Sequence, residues 1–250
     1  MEKTGKKKNR FGLLGKEISY SFSQRYFTSK FEELGLSDYS YENYDIPEIS
    51  DLETILKEQD PKGFNVTIPY KEEVIPFLSA LDPIAKEIGA VNTVKITQNG
   101  LIGYNTDAYG FQKSLEPFLK PHHTKALILG TGGASKAIRF VLEQLEIDHT
   151  YVSRTKKEKQ LSYAELDERI ITSNQLIINC TPLGTHPNIN EKPPIPYQFL
   201  SNEHLLFDLI YNPEKSAFLK EGETKNTAIC NGLDMLKFQA EKAWQIWNDS

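Results

Sequence analysis

A lysine follows directly on the end of an apolar run in Asn65-Val-Thr-Ile-Pro-Tyr-Lys71, where Pro69 stops the stretch from Phe64 to Ile68. A run of that length reads as a buried strand. A lysine at its end, with Thr67 and Asn65 just upstream, suits a place where a polar ligand meets a sheet edge. The plainer alternative is a solvated lysine opening a helix through Lys71-Glu72-Glu73-Val74. Complementary groups come later, in Gly89-Ala-Val-Asn-Thr93 and Gly103-Tyr-Asn-Thr-Asp107. Between them Val91, Thr93, Lys95 and Thr97 alternate and Gln98-Asn99-Gly100 turns, which predicts a hairpin. Asn92 and Asp107 then lie near the outer ends of paired strands, an amide and a carboxylate within reach of a lysine from a neighbouring strand. Capping of the following helix would by itself also account for Asp107.

A third segment has the chemistry of nucleotide binding. The apolar strand Lys125-Ala-Leu-Ile-Leu129 runs into Gly130-Thr131-Gly132-Gly133-Ala134 and then into a helix with Ile138, Val141, Leu142 and Leu145 on one face. A glycine turn between strand and helix lets backbone N–H groups approach a pyrophosphate at the helix N-terminus. The match to G-x-G-x-x-G is imperfect, because Ser135 replaces the third glycine. At the end of the next strand Ser153 and Arg154 stand where an acidic residue would bind a free ribose 2′-OH, and Thr155-Lys156-Lys157 follow. A cation with hydroxyls suits a 2′-phosphate, which favours NADP(H) over NAD(H). A merely basic loop is the alternative.

Taken in order, these segments resemble the shikimate dehydrogenase (shikimate/quinate dehydrogenase) family over nearly the whole chain. Asn65 to Lys71 matches N-V-T-x-P-x-K, Gly89 to Thr93 matches G-A-V-N-T, and Asn105-Thr106-Asp107 matches N-T-D. Ser21-Phe-Ser23 is similar to the S-x-S core of the family's carboxylate-binding segment, and Gly130 to Ser135 to its cofactor turn. Ser153-Arg154-Thr155 resembles N-R-T. Asn179-Cys-Thr181-Pro-Leu-Gly184, Asp208-Leu-Ile-Tyr211-Asn-Pro and Gly232-Leu-Asp-Met-Leu-x-x-Gln239 complete the set.

The resemblance implies reversible NADPH-dependent reduction of 3-dehydroshikimate to shikimate, a step toward aromatic amino acids. Ser21 and Ser23 are expected to bind the substrate carboxylate. They are two apart and share a face if extended, although serines here could also open the helix from Arg25 to Leu34. By resemblance Asn65, Thr67, Asn92, Asp107 and Gln239 serve the substrate, with Tyr211 beside them. Gly130, Thr131, Gly132, Gly133, Ala134, Ser153, Arg154, Thr155, Thr181 and Gly232 serve the cofactor. Lys71 is expected to be charged when substrate binds and to act as donor and proton source to the developing oxyanion, with Asp107 orienting it. No metal is implied.

Departures from the pattern fall mostly on the cofactor side. Glu158 stands where a second cation is usual, and the stretch from Thr155 to Gln175 is short, as if lacking a helix and the strand after it. A reduced sheet near the adenosine and a weaker grip on the 2′-phosphate follow. On the substrate side Tyr20, Gln24 and Ala108 replace frequent His, Pro and Gly, and Tyr20 is expected to reshape the carboxylate pocket. Relaxed substrate or cofactor preference, or a dinucleotide-binding regulator without turnover, are the competing readings.

The elements needed to hold these residues define an α/β protein of two domains. Strands expected at Phe11–Leu14, Tyr39–Tyr44, Phe64–Ile68, 91–97 and Leu101–Tyr104 form a mostly parallel substrate domain, residues 1–107 with 232–250. A somewhat shortened Rossmann-type NADP-binding domain takes 108–231, and a C-terminal helix, Leu233 to Trp247, returns to the first domain. The 250 residues suffice for two modest domains, and a net charge of −5 gives no general attraction to nucleic acid or anionic membrane. No apolar run approaches the roughly 20 residues that span a bilayer. The basic stretch from Lys3 to Arg10 lacks an apolar signal core and reads as a tail. Cys180 and Cys230 read as buried free thiols of a reducing compartment, and His122-His123 as an exposed linker. A cytoplasmic monomer or homodimer acting on a small molecule is expected.

Overall fold

The computed structural model describes residues 9–19, 21–155 and 157–249. The basic tail up to residue 8, Tyr20 and Lys156 lie outside them, as does the expectation attached to Tyr20. The chain divides into two compact units, Met1–Thr106 with Ala240–Ser250, and Asp107–Gln239.

The first unit contains β1 (Asn9–Gly15), α1 (Phe22–Glu33), β2 (Tyr39–Asp45), α2 (Leu52–Gln59), β3 (Gly63–Val66), β4 (Ala80–Leu81), α3 (Pro83–Ile88), β5 (Thr93–Thr97) and β6 (Gly100–Tyr104). They form one sheet of order β2-β1-β3-β5-β6-β4 in which β5 alone runs against its neighbours. Side chains alternate across it as the period of two requires. Leu14, Tyr44, Phe64, Val66 and Val94 enter one core, while Phe11, Leu13 and Tyr41 enter another with Phe27 and Phe31 of α1 and Ala240, Ala243 and Trp247 near the C-terminus. Gly63 allows this second packing. A Cβ there would stand 2.4 Å from the Trp247 indole nitrogen, which donates to the Val94 carbonyl at 3.0 Å.

The second unit contains α4 (Asp107–Leu115), β7 (Lys125–Leu129), α5 (Gly133–Gln144), β8 (Asp148–Ser153), β9 (Leu161–Ser162), α6 (Glu168–Ser173), β10 (Leu176–Asn179), β11 (Leu205–Asp208), α7 (Ala217–Thr224), β12 (Ala228–Cys230) and the first part of α8 (Leu233–Asn248). Its sheet is wholly parallel with order β12-β11-β10-β7-β8-β9. That is a doubly wound order whose direction reverses between β7 and β10, the place where such sheets bind ligands. Leu127, Leu129, Ile177, Leu206 and Phe218 fill the core on one side, and Phe111 of α4 meets Phe207 edge-on at 5.0 Å on the other. No helix among the described residues is long and apolar enough to cross a membrane.

Several expectations are corrected. Ile68 is 75% exposed, so the buried run ends at Val66, where β3 stops. Lys71 to Val74 forms turns that lead into a 3-10 turn at Ile75–Phe77 rather than an α-helix. The stretch between β8 and β10 does hold a strand, the two-residue β9, and the six-residue α6 capped by Asp167. Only loop joins β8 to β9 among the described residues, so the helix missing there accounts for the short spacing. His123 is buried, because its Nδ1 accepts from the Lys120 N–H at 3.1 Å and its Nε2 faces the Glu203 carbonyl at 3.2 Å. Both cysteines are free, Cys230 buried and Cys180 partly so.

Candidate active site

In the first unit the predicted substrate residues converge on the carboxyl ends of β1 and β3. The loop after β1 turns through Glu17 at φ 57°, and the Asp45 carboxylate at the end of β2 accepts from the Glu17 and Ile18 N–H groups at 2.9 and 3.2 Å. Asn43 donates to the Ile18 carbonyl at 3.2 Å. These contacts aim the chain into α1. Ser21 caps that helix, its hydroxyl accepting from the Gln24 N–H at 3.3 Å, and Ser23 lies buried in the first turn. The serine pair is therefore a helix start and not an extended segment. Thr67 donates its N–H to the Leu14 carbonyl at 2.9 Å, which places it beside the end of β1. Lys71 is half-buried, its position set by Tyr70, whose hydroxyl donates to the Ile46 carbonyl at 2.8 Å, and by its own carbonyl, which accepts from the Val91 N–H at 2.7 Å.

Asn65 and Asn92 belong to a buried polar chain. The Tyr41 hydroxyl donates to Asn65 Oδ1 at 2.8 Å, and Asn65 Nδ2 donates to the Asn92 carbonyl at 3.2 Å and to Thr93 Oγ1 at 3.0 Å. Thr93 Oγ1 then donates to Asn92 Oδ1 at 3.1 Å. The same Oδ1 accepts from the Thr106 N–H at 2.7 Å and from Thr106 Oγ1 at 3.1 Å. With its oxygen facing these donors, Asn92 turns its NH2 the other way, which fixes the sense of the amide. Asn65 is 4% exposed and both of its amide protons go to protein partners. Tyr41, Thr93 and Thr106 were not among the predicted site residues. Their only local signal is a polar side chain on the inward face of a strand or turn, which sequence alone assigns to either face.

In the second unit Asp107 opens α4 and is 6% exposed. The peptide bond to Thr106 ties it to the end of the polar chain. Gly110, one turn on, lets α4 close on α8, since a Cβ there would lie 2.5 Å from the Met235 carbonyl and 3.0 Å from Gln239 Cβ. Asp107 and Gln239 thus sit on two helices in close contact. Gly232, before α8, has no room for a side chain because a Cβ would meet the Leu209 carbonyl at 2.1 Å, and its N–H donates to the Ile210 carbonyl at 3.1 Å. This brings it next to the loop carrying Tyr211.

The glycine turn stands at the sheet's reversal point. Gly130 leaves β7 at φ 99°, and a Cβ on it would touch Thr181, which follows β10. Gly132 caps α5 with no side-chain bond to the helix, and a Cβ there would meet nothing within 4 Å. Open space before uncapped backbone N–H groups, with Thr131, Gly133 and Ala134 in the same turn, fits a pyrophosphate. Ser135, in place of the third glycine, is buried, its hydroxyl donating to the Gly132 carbonyl at 2.7 Å. Arg154 and Thr155 are exposed just beyond β8, and Ser153 donates to the Thr155 carbonyl at 2.5 Å, closing the loop on itself. Thr181 Oγ1 donates to Asn179 Oδ1 at 2.6 Å, and Asn179 Nδ2 to Asp208 Oδ1 at 3.0 Å. Asp208 also accepts from the Ile210 N–H at 3.0 Å and from the Ser216 hydroxyl. Burial pushes its carboxyl up to about 6 in spite of these donors.

A family model described as the shikimate dehydrogenase substrate binding domain matches residues 13–94. The NADP(+) shikimate dehydrogenase of Methanococcus vannielii is 36% identical over 94% of this chain and 90% of its own length. Among solved structures, shikimate dehydrogenase 1 of Peptoclostridium difficile superposes with a TM-score of 0.86 at 36% identity, covering 97% of this chain and 92% of that one. The Thermus thermophilus enzyme in complex with NADP(H) and shikimate gives 0.85 at 32% identity, over 96% and 93%. With relatives this similar along nearly its full length, and the family's residues gathered at two strand ends, the chain belongs to the shikimate dehydrogenase family.

Proposed function

We propose that this protein reduces 3-dehydroshikimate to shikimate, reversibly and with NADPH, in the biosynthesis of aromatic amino acids. The observation that carries this reading is the placement of Lys71 beside Asn92 through the bond from the Val91 N–H, with Asn92 in turn holding the residue before Asp107. Residues 1–107 with 232–250 would act as the substrate and catalytic domain, and 108–231 as the NADP-binding domain. When bound, the nicotinamide supplies hydride to the ketone carbon. Lys71 donates to the ketone oxygen as charge builds there and gives it a proton, and Asp107 orients the ammonium group. Ser21 and Ser23 bind the carboxylate, Thr67, Asn92 and Gln239 the ring hydroxyls, and Tyr211 lies alongside; Asn65 supports this group from within.

On the cofactor side, Gly130, Thr131, Gly132, Gly133 and Ala134 bind the pyrophosphate, and Ser153, Arg154 and Thr155 the 2′-phosphate. Thr181 and Gly232 shape the remaining contacts. We also read the protein as a cytoplasmic monomer or homodimer with a small-molecule substrate and no nucleic-acid or membrane partner, in keeping with its net charge of −5. The test is loss of reduced-nicotinamide absorbance with 3-dehydroshikimate, run with NADPH and NADH. Oxidation of NADPH is expected, and no oxidation of either cofactor would refute the reading.

A further inference from the structure

We infer that Asn105 is a positioning residue for Lys71, acting through the one peptide group that joins Ala90 to Val91. The inference rests on the functional reading above, in which Lys71 gives the proton. Asn105 is buried, and its Nδ2 donates to the Ala90 carbonyl at 2.9 Å. The other end of the same peptide group, the Val91 N–H, donates to the Lys71 carbonyl at 2.7 Å. A trans peptide is planar, and its C=O and N–H point in opposite directions. The group therefore bridges two partners, with Asn105 on one side and Lys71 on the other. Ala90 and Val91 are both fully buried, and among the described residues no second donor reaches the Ala90 carbonyl.

The base of the brace is held firmly. The Asn92 N–H donates to the Tyr104 carbonyl at 3.0 Å, and Asn92 Oδ1 accepts from the Thr106 N–H at 2.7 Å. Both peptide groups flanking Asn105 are thus tied to one residue. On the other strand of the contact, α3 ends at Gly89, which sits in the left-handed region at φ 72° with its N–H bonded to the Ala85 carbonyl. The Ala90 carbonyl is the next anchor along that chain. Without the Asn105 amide a fully buried carbonyl loses its donor, and the peptide plane turns to find another. The Val91 N–H turns with it and draws the Lys71 backbone out of place. A shift of about 1 Å at the donor is enough to slow the chemical step while the substrate's other contacts persist.

The experiment is a double-substitution cycle with Asn105→Ala and Lys71→Ala in the full chain. For each variant kcat, KM for 3-dehydroshikimate and the Kd of NADPH are measured. Asn105→Ala is expected to lower kcat about tenfold, the effect of one buried hydrogen bond, with KM and the Kd of NADPH close to wild type. In the Lys71→Ala background the same change is expected to lower kcat by less than about twofold, because the group it positions is already gone. An unchanged kcat in Asn105→Ala, or equal factors in both backgrounds as general loosening would give, would overturn the positioning role. Should Asn105→Ala not fold, Asn105→Leu keeps the buried volume and removes the donor. Its kcat is expected to fall similarly, and a wild-type kcat there would overturn the proposal. A wild-type chain that leaves NADPH unoxidised would refute the functional reading itself, whereas an active wild type with an indifferent Asn105→Ala refutes only this inference.

Discussion

Asp208 shows how a single side chain can organise a cofactor-side loop at a measurable thermodynamic cost. It is fully buried at the end of β11 and gathers donors from Asn179, Ile210 and Ser216, which fixes the turns leading to Thr181 and Tyr211. Its carboxyl is pushed up to about 6 by burial, above the ordinary carboxylate value of about 3.9 in an unfolded chain. The folded state therefore binds this proton more tightly. The group's stabilising contribution is full below about pH 4 and is lost as pH rises through about 6, a change of up to about 3 kcal/mol. Asp208→Asn is thus expected to lose stability more steeply than wild type between pH 6 and pH 4 in chemical denaturation. Parallel profiles would show that Asp208 does not titrate in this window. Asn would also turn an NH2 toward existing donors, so KM for NADPH is expected to rise. Asp208 was visible in the sequence as part of Asp208-Leu-Ile-Tyr211, yet its partners lie 29 residues back, at Asn179, and 8 residues on, at Ser216. No local pattern joins them.

At the scale of elements, strands and helices were legible where periodicity was strong. β7 occupies Lys125–Leu129 as expected, and α8 begins at Leu233 as its apolar stripe implied. Errors fell where two rules compete. Ile68 looked like the end of a buried strand by hydrophobicity, but β3 has already left the sheet there and the backbone turns toward Lys71. Strands β4 and β9 are two residues each, below the length at which alternation can be read. Ser21 and Ser23 had both an extended and a capping interpretation, and the Gln24 N–H decides for the cap. Gly63 gives a test at this scale. Gly63→Ala would force a Cβ to within 2.5 Å of the Trp247 ring and 2.9 Å of the Val94 carbonyl. It is expected to destabilise the protein by about 1–3 kcal/mol, a figure typical of overpacking. A neutral result in urea denaturation would mean that the end of α8 yields easily.

For the molecule as a whole, the family was readable because its chemistry depends on short ordered motifs, each tied to a strand end. On the proposed reading, cofactor discrimination falls to one short exposed loop, where Arg154 stands and Glu158 takes the place of a second cation. A single charge-assisted contact is worth about 1.5–3 kcal/mol, so the preference for NADPH over NADH in kcat/KM is expected to be about 10- to 150-fold. Arg154→Ala should bring that ratio close to one, whereas a preference that survives the substitution would place the 2′-phosphate contact elsewhere. The proposed function assigns Lys71 the role of proton donor. The most direct test compares kcat and KM for 3-dehydroshikimate in the wild type and Lys71→Ala under saturating NADPH. A fall in kcat of about 10²- to 10⁴-fold with a far smaller rise in KM is the predicted result. A raised KM with kcat preserved would contradict it.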